Sequence, residues 1–245
     1  MILHAYTQYT PRDEDTKRRN ALAQSTWPGQ LWKECPVRDE ELPRMWREEG
    51  RSFAFIHDVI EHAAKQASNP QDIIAYTNAD IIMRGDASHQ LIVRMKSVSA
   101  CYAFRRDFGR LEKVPVDSEF STGYDYCGSD LKAFTKGWWD AHKNQLPDAI
   151  LGGEAWDPCY RVMIEQSQPG KNVSLRDIIA HERHASYWEV PQNRHRLDMQ
   201  KYCLSVCAKF LQSHGVPPGQ HGIDSRFILQ PATLDAVLLK SHSQL

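Results

Sequence analysis

Residues 72–83 read DIIAYTNADIIM. After Asp72, apolar side chains fill the stretch except where Thr77, Asn78 and Asp80 interrupt it near its end. A short apolar run closed by turn-forming residues is the pattern of a strand buried on both faces. The spacing predicts one buried strand over 72–82, broken near its end by those small polar residues. Working outward, residues 1–6 (MILHAY) predict a buried first strand, and 16–26 a helix punctuated by Pro28 and Gly29. Residues 53–67 predict a second helix, with Phe53, Ile56, Val59, Ile60 and Ala63 at helical spacing. Beyond the quoted stretch come a helix over 88–98, a strand over 100–104 and a polar loop over 111–121. Short apolar runs occupy 124–134, and helices are predicted over 138–142 and 156–164. A last helix over 197–213 carries Met199, Tyr202, Cys203, Val206, Phe210 and Leu211 as its apolar stripe. Strands alternating with helices predict an α/β fold with a mostly parallel central sheet flanked by helices. Ligands bind such sheets at the carboxyl ends of the strands. The residues just after Tyr76 therefore matter most.

The totals narrow the function classes. The 245 residues suffice for one α/β domain with C-terminal decoration. Hydrophobic residues make up 41% and charged residues 25%, an ordinary globular balance. A net charge of −1 disfavours a nonspecific nucleic-acid coat or an anionic-membrane binder. No basic, apolar leader opens the chain, and no run approaches the roughly 20 apolar residues of a membrane span. The six cysteines are dispersed with no CxxC pair, which predicts a reduced, cytoplasmic setting.

Three segments carry candidate chemistry. In Asn78-Ala79-Asp80, a carboxylate at a buried strand end is costly to desolvate unless a cation or hydrogen bonds offset it. Asp80 reads either as a ligand of Mg²⁺ or Mn²⁺ bridging two phosphates, or as the cap of the following turn. In Gly152-Gly153-Glu154-Ala155-Trp156-Asp157, two carboxylates three apart share one face of a starting helix. Either is a general base toward a hydroxyl, or both favour the helix dipole. In His181-Glu182-Arg183-His184 the histidines are three apart, so this is not the HExxH zinc pattern. They suit a strand end near the same edge of the sheet. Arg19 is a bidentate phosphate donor in principle, whereas Arg18 reads as a solvated helix face. Among seven tryptophans, at most one of Trp138, Trp139 and Trp156 is expected to touch ligand; the rest are core. Tyr124-Asp125-Tyr126 reads as a sugar wall or a strand edge. Asp125 is the residue to examine in a retaining mechanism.

In order and spacing, IAYTNADIIM (74–83), GYDYCGSDLKAFTKGWW (123–139), PDAILGGEAWDPCYRVMI (147–164) and IIAHERHASYWE (178–189) resemble GT-A-type glycosyltransferases. The resemblance covers residues 1–189. It implies a GT-A-like, Rossmann-related catalytic domain over 1–190 that binds a nucleotide sugar. A C-terminal helical extension over 191–245 would pack on it and help read the acceptor. It further implies that Asn78-Ala79-Asp80 is a DxD motif lacking its first carboxylate. Asp80 would hold Mn²⁺ or Mg²⁺ with His184 or His181. Thr7, Tyr9, Arg12, Arg19, Asn78 and Asp80 would surround the donor, with a UDP-sugar favoured. Asp157 would be the base for inverting displacement, with Glu154 as rival, and Tyr124, Asp125, Gly153 and Trp156 would face acceptor or sugar.

The charge pattern suggests two acceptors. Arg105, Arg106 and Arg110 in one expected loop, and Arg194, His195, Arg196 and Lys201 in another, would grip DNA carrying a hydroxylated base. Tyr124, Trp188 or Trp139 would then stack on the flipped base. A glycan or small molecule suits the acidic neighbours Asp107, Glu112 and Asp198. A nucleotidyltransferase would carry a glycine-rich loop after the first strand, and TQYTPRDED has no glycine. A non-catalytic module of the same shape would leave Asp80, Asp157 and His184 apart.

Overall fold

A computed structural model describes residues 1–8, 13–28, 32–48, 51–126, 128–153, 155–184 and 197–216. In chain order the strands are β1 (Ile2–Thr7), β2 (Trp32–Val37), β3 (Met45–Glu48), β4 (Arg51–Ala54), β5 (Ile73–Thr77), β6 (Ile81–Met83), β7 (Ala100–Phe108), β8 (Tyr124–Asp125), β9 (Leu131–Thr135) and β10 (Ser174–Glu182). The helices are α1 (Glu14–Gln24), α2 (Ile56–Ala64), α3 (Ala87–Met95), α4 (Lys136–His142), α5 (Trp156–Gln166) and α6 (Leu197–Ser213).

Among the described residues the main sheet has eight strands in the order β2-β1-β5-β9-β7-β10-β6, with β8 paired to β7. Strands β2, β1, β5, β7 and β10 run one way, whereas β9, β6 and β8 oppose them. The sheet is mostly parallel, with β9 inserted antiparallel at its centre. β1 and β5 are buried almost throughout, as strands covered on both faces must be. β3 and β4 form a separate two-stranded hairpin. Phe53 lies in that hairpin, so α2 starts three residues later than helical spacing alone suggests.

The stretch 72–82 is not one strand. It divides into β5 in the middle of the sheet and β6 on its far edge, antiparallel to β10. A flat sheet would separate these two by four strand spacings, about 19 Å. The four steps from Thr77 to Ile81 reach about 14 Å at most. The sheet therefore curls at this end, drawing the ends of β5 and β10 together. A register shift in β10 between Leu175 and Ile179 assists the bend. Within it Asp177 takes a left-handed φ of 59° and accepts a 2.6 Å hydrogen bond from Arg106 Nε.

One large core joins the sheet to α2, α4 and α5, and α6 contributes Cys207, Phe210 and Leu211 to it. Gly153 packs so closely on α6 that a Cβ there would lie 2.2 Å from Cys203 Sγ. The five cysteines among the described residues are buried. No described helix is long and apolar enough to cross a membrane.

Candidate active site at the carboxyl edge of the sheet

Asp80 sits in the turn between β5 and β6, His181 near the end of β10, and His184 two residues past it. Asp80 Oδ2 lies 3.0 Å from His184 Nε2 and 3.4 Å from His181 Nε2. The two Nε2 atoms are 3.2 Å apart. Ligands about 2.1 Å from one ion stand about 3.0 Å apart in octahedral cis positions and about 3.4 Å apart in a tetrahedron. The three donors therefore have the mutual spacing of ligands around a single cation. His181 Nδ1 faces Asp107 Oδ1 at 3.2 Å, which leaves Nε2 toward Asp80. Burial opposes ionisation of Asp80, but hydrogen bonds from His181 and His184 prevail and hold the carboxyl well below its usual range. Burial likewise disfavours a charged His181, yet Asp107 and Asp80 raise it to about 9.

A chain of polar contacts continues from this cluster along the same edge. Asp107 Oδ1 pairs with Arg105 Nε at 2.8 Å, and Arg105 Nη1 donates to Asp130 Oδ2 at 2.9 Å. Asp130 Oδ1 accepts from Asn78 Nδ2 at 2.8 Å, and Asn78 Oδ1 accepts from the Tyr76 hydroxyl at 2.9 Å. Arg105 lies 3.8 Å over the Tyr126 ring. Next along β9, the fully buried Lys132 donates to Asp157 and to the Ser129 carbonyl, with Nζ 3.7 Å over the Trp156 ring. Burial, then Asp130, pushes the Asp157 carboxyl above its usual range, against the pull of Lys132. Burial first, then the charges of Asp157, Asp130 and Asp80, raises the Tyr76 phenol well above its own.

The other expected site residues are scattered more widely. Thr7 ends β1, beside Val37 of β2. Arg19 is tied within its own helix, to Asp15 and, at 3.0 Å, to Thr16 Oγ1. Arg18 is no solvated face: it bonds the Leu111 carbonyl at 2.6 Å and pairs with Glu182, pinning α1 to the end of β10. Tyr124 is 75% exposed, and Asp125 pairs with Arg106 at 2.6 Å. Trp138, Trp139 and Trp156 are core residues. Arg105 and Arg106 lie on β7 rather than in a loop, and both are engaged by carboxylates. Arg110 pairs with Glu112 at the surface, and Lys201 with Asp198. Tyr9, Arg12, Glu154, Trp188, Arg194, His195, Arg196 and 217–245 lie outside the described residues.

The sequence alone gives no site role to Asp130 or Lys132, and gives Asp107 one only as an acidic neighbour suited to a glycan or small-molecule acceptor. Lys132 carried a signal, a lone cation inside the apolar run LKAFT, but its partner stands on another element.

A curled, mostly parallel sheet flanked by helices, with its polar residues gathered at the carboxyl edge, places the chain in the GT-A/Rossmann-like α/β class. Among solved structures it is similar to S. aureus TarS 1–349 in complex with UDP-GlcNAc. Identity is 11% over 99% of this chain and 72% of that one, with a TM-score of 0.52. The complex of the same protein with UDP gives 10% identity over 98% and 70%, with a TM-score of 0.49. At such identities the likeness is one of fold. No protein-family model matches the chain, and no curated protein does.

Proposed function

We propose that this chain is a glycosyltransferase that moves a sugar from a nucleoside diphosphate donor to an acceptor hydroxyl, assisted by a divalent cation. The observation that carries the reading is the Asp80, His181 and His184 donor set at the carboxyl edge of a GT-A-like sheet. Two imidazoles with one carboxylate favour Mn²⁺ over Mg²⁺, which prefers oxygen ligands and holds its waters. The bound cation would neutralise the charge that builds on the departing diphosphate. Asp157 takes the acceptor proton while the acceptor oxygen bonds the anomeric carbon and the carbon–oxygen bond to the diphosphate breaks. Its raised pKa suits a base working near neutral pH. A single displacement of this kind inverts the anomeric centre.

A glycan or small-molecule acceptor is favoured over DNA. The β7 cations that a polyanion would need are already paired with carboxylates, and the exposed Tyr124 ring offers a face on which a sugar stacks. UDP-sugars are the first donors to try, because UDP-GlcNAc is the ligand in the similar TarS complex. Thermal unfolding with UDP- and GDP-sugars, each with and without Mn²⁺, tests the reading. A ligand that binds the native state raises the midpoint by mass action. A chain whose midpoint ignores every donor in the presence of Mn²⁺ is not this enzyme.

A further inference from the structure

His181 is 5% exposed and Asp107 is 6% exposed, so their contact is sheltered from water. They sit on the adjacent parallel strands β10 and β7, in register with one another. An imidazole offers a lone pair to a cation through one nitrogen only, and the partner of the other nitrogen decides which. Asp107 takes Nδ1. Nε2 is then the nitrogen left facing Asp80 and His184.

Asp107 is itself held. Its Oδ1 pairs with Arg105 Nε at 2.8 Å, at an angle outside hydrogen-bond geometry, so the contact is an ion pair. From Arg105 the contacts run through Asp130 and Asn78 to the turn that carries Asp80. The path closes on itself: Asp80, His181, Asp107, Arg105, Asp130, Asn78, and two residues of backbone back to Asp80. It ties together the turn between β5 and β6, β7, β10 and the residue before β9. A carboxylate at position 78 would face Asp130 at 2.8 Å with no proton between them. The amide of Asn78 is what lets the ring close.

We propose that Asp107 is the positioning residue of the cation site, fixing His181 with Nε2 toward the ion, and that the ring through Arg105, Asp130 and Asn78 holds it there. The proposal rests on the reading that Asp80, His181 and His184 bind a cation. Losing such a partner behind a ligating histidine weakens metal binding by about 10–100-fold.

The test is a titration of the full chain with Mn²⁺ alone, read by the paramagnetic resonance signal of the free ion, with no donor and no activity involved. Asp107→Leu and Asp107→Asn remove the same charge, but only asparagine keeps an oxygen where Oδ1 stands. The expected result is about 10–100-fold weaker binding for Asp107→Leu and a smaller loss, roughly threefold to tenfold, for Asp107→Asn. Should Asp107→Leu not fold, Asp107→Asn decides alone by the same range. Wild-type affinity in a folded Asp107 variant, while Asp80→Ala abolishes binding, overturns the positioning role and leaves the cation reading standing. Equal losses in the two Asp107 variants overturn it too, because charge alone would then explain the effect. A wild-type chain that takes up no Mn²⁺ removes the cation reading, and the proposal with it.

Discussion

Two buried histidines, His4 and His181, show how differently the middle and the edge of one sheet treat the same side chain. His4 lies within β1, fully buried, ringed by Tyr6, Trp27 and Trp32. Its Nε2 meets Thr77 Oγ1 at 2.8 Å, and its Nδ1 is buried without a partner. Nothing compensates a charge there, and burial pushes its pKa down to about 3. His181 is nearly as buried, but Asp80 and Asp107 raise it to about 9. Burial does not decide which way a histidine shifts. The carboxylates that reach it do: Asp80 and Asp107 meet His181 where the parallel strands stop, whereas the contact of His4 is the Thr77 hydroxyl.

If the edge alone does chemistry, its carboxylates should dominate function. Asp157→Asn is expected to lower turnover by about 10²–10⁴-fold while donor binding stays unchanged. Kinetics beside donor titration check this, and weakened donor binding at unchanged turnover would reverse its role. Asp80→Ala should abolish the Mn²⁺-dependent stabilisation, which in the wild type reaches about 2.7 kcal/mol at a hundredfold excess over Kd. His4→Gln should leave that stabilisation intact. If it fails to, interior and edge are not separate.

The sharpest form of the comparison is in pH. At pH 5 unfolded chain protonates His4 and native chain does not, so acid costs the wild type stability that His4→Gln keeps. The deficit of His4→Gln should be largest above pH 6.5 and shrink by about 1.4 kcal/mol per unit toward pH 4. His181 has the opposite sign. Its folded pKa lies above the unfolded value, so its contribution is complete below pH 6.5 and lost by about pH 9. In cation-free chain, the deficit of His181→Gln should therefore shrink toward alkali at a similar slope. Denaturant melts at several pH values check both, and parallel slopes would collapse the distinction. The smallest effect concerns Ala155, which precedes α5 with a left-handed φ of 70°. Ala155→Gly should stabilise by up to about 1 kcal/mol, since glycine adopts that conformation without strain. A loss in the melting midpoint would show that the methyl group packs usefully.

Legibility in the sequence tracked the packing. α6 was readable to its ends because its apolar stripe repeats at helical spacing, Met199, Tyr202 and Cys203 packing on Trp46, Phe55 and Ile150 and Cys207, Phe210 and Leu211 on the large core. β5 was readable because both its faces are buried. β2 was missed: at the edge of the sheet its burial does not alternate, with Lys33 and Glu34 both exposed, and it contains Pro36. β9 was obscured by Lys132, a charge that no apolar pattern predicts inside a buried strand. Arg105 and Arg106 resembled a basic loop because successive cations suggest solvent; their partners Asp130 and Asp177 come from other parts of the chain.

By itself the sequence determined the alternation of strands and helices, the polar break after Thr77 and the presence of histidines at the end of a late strand. Those are local properties, set by periodicity and turn chemistry. Only the tertiary structure decided that four steps of chain must cross the sheet, so that its end curls and Asp80 meets His181 and His184. Only it showed that Asn78 serves Asp130, and that Asp107 stands behind His181. Such pairings join residues up to 104 positions apart. They depend on strand order, which no local pattern encodes.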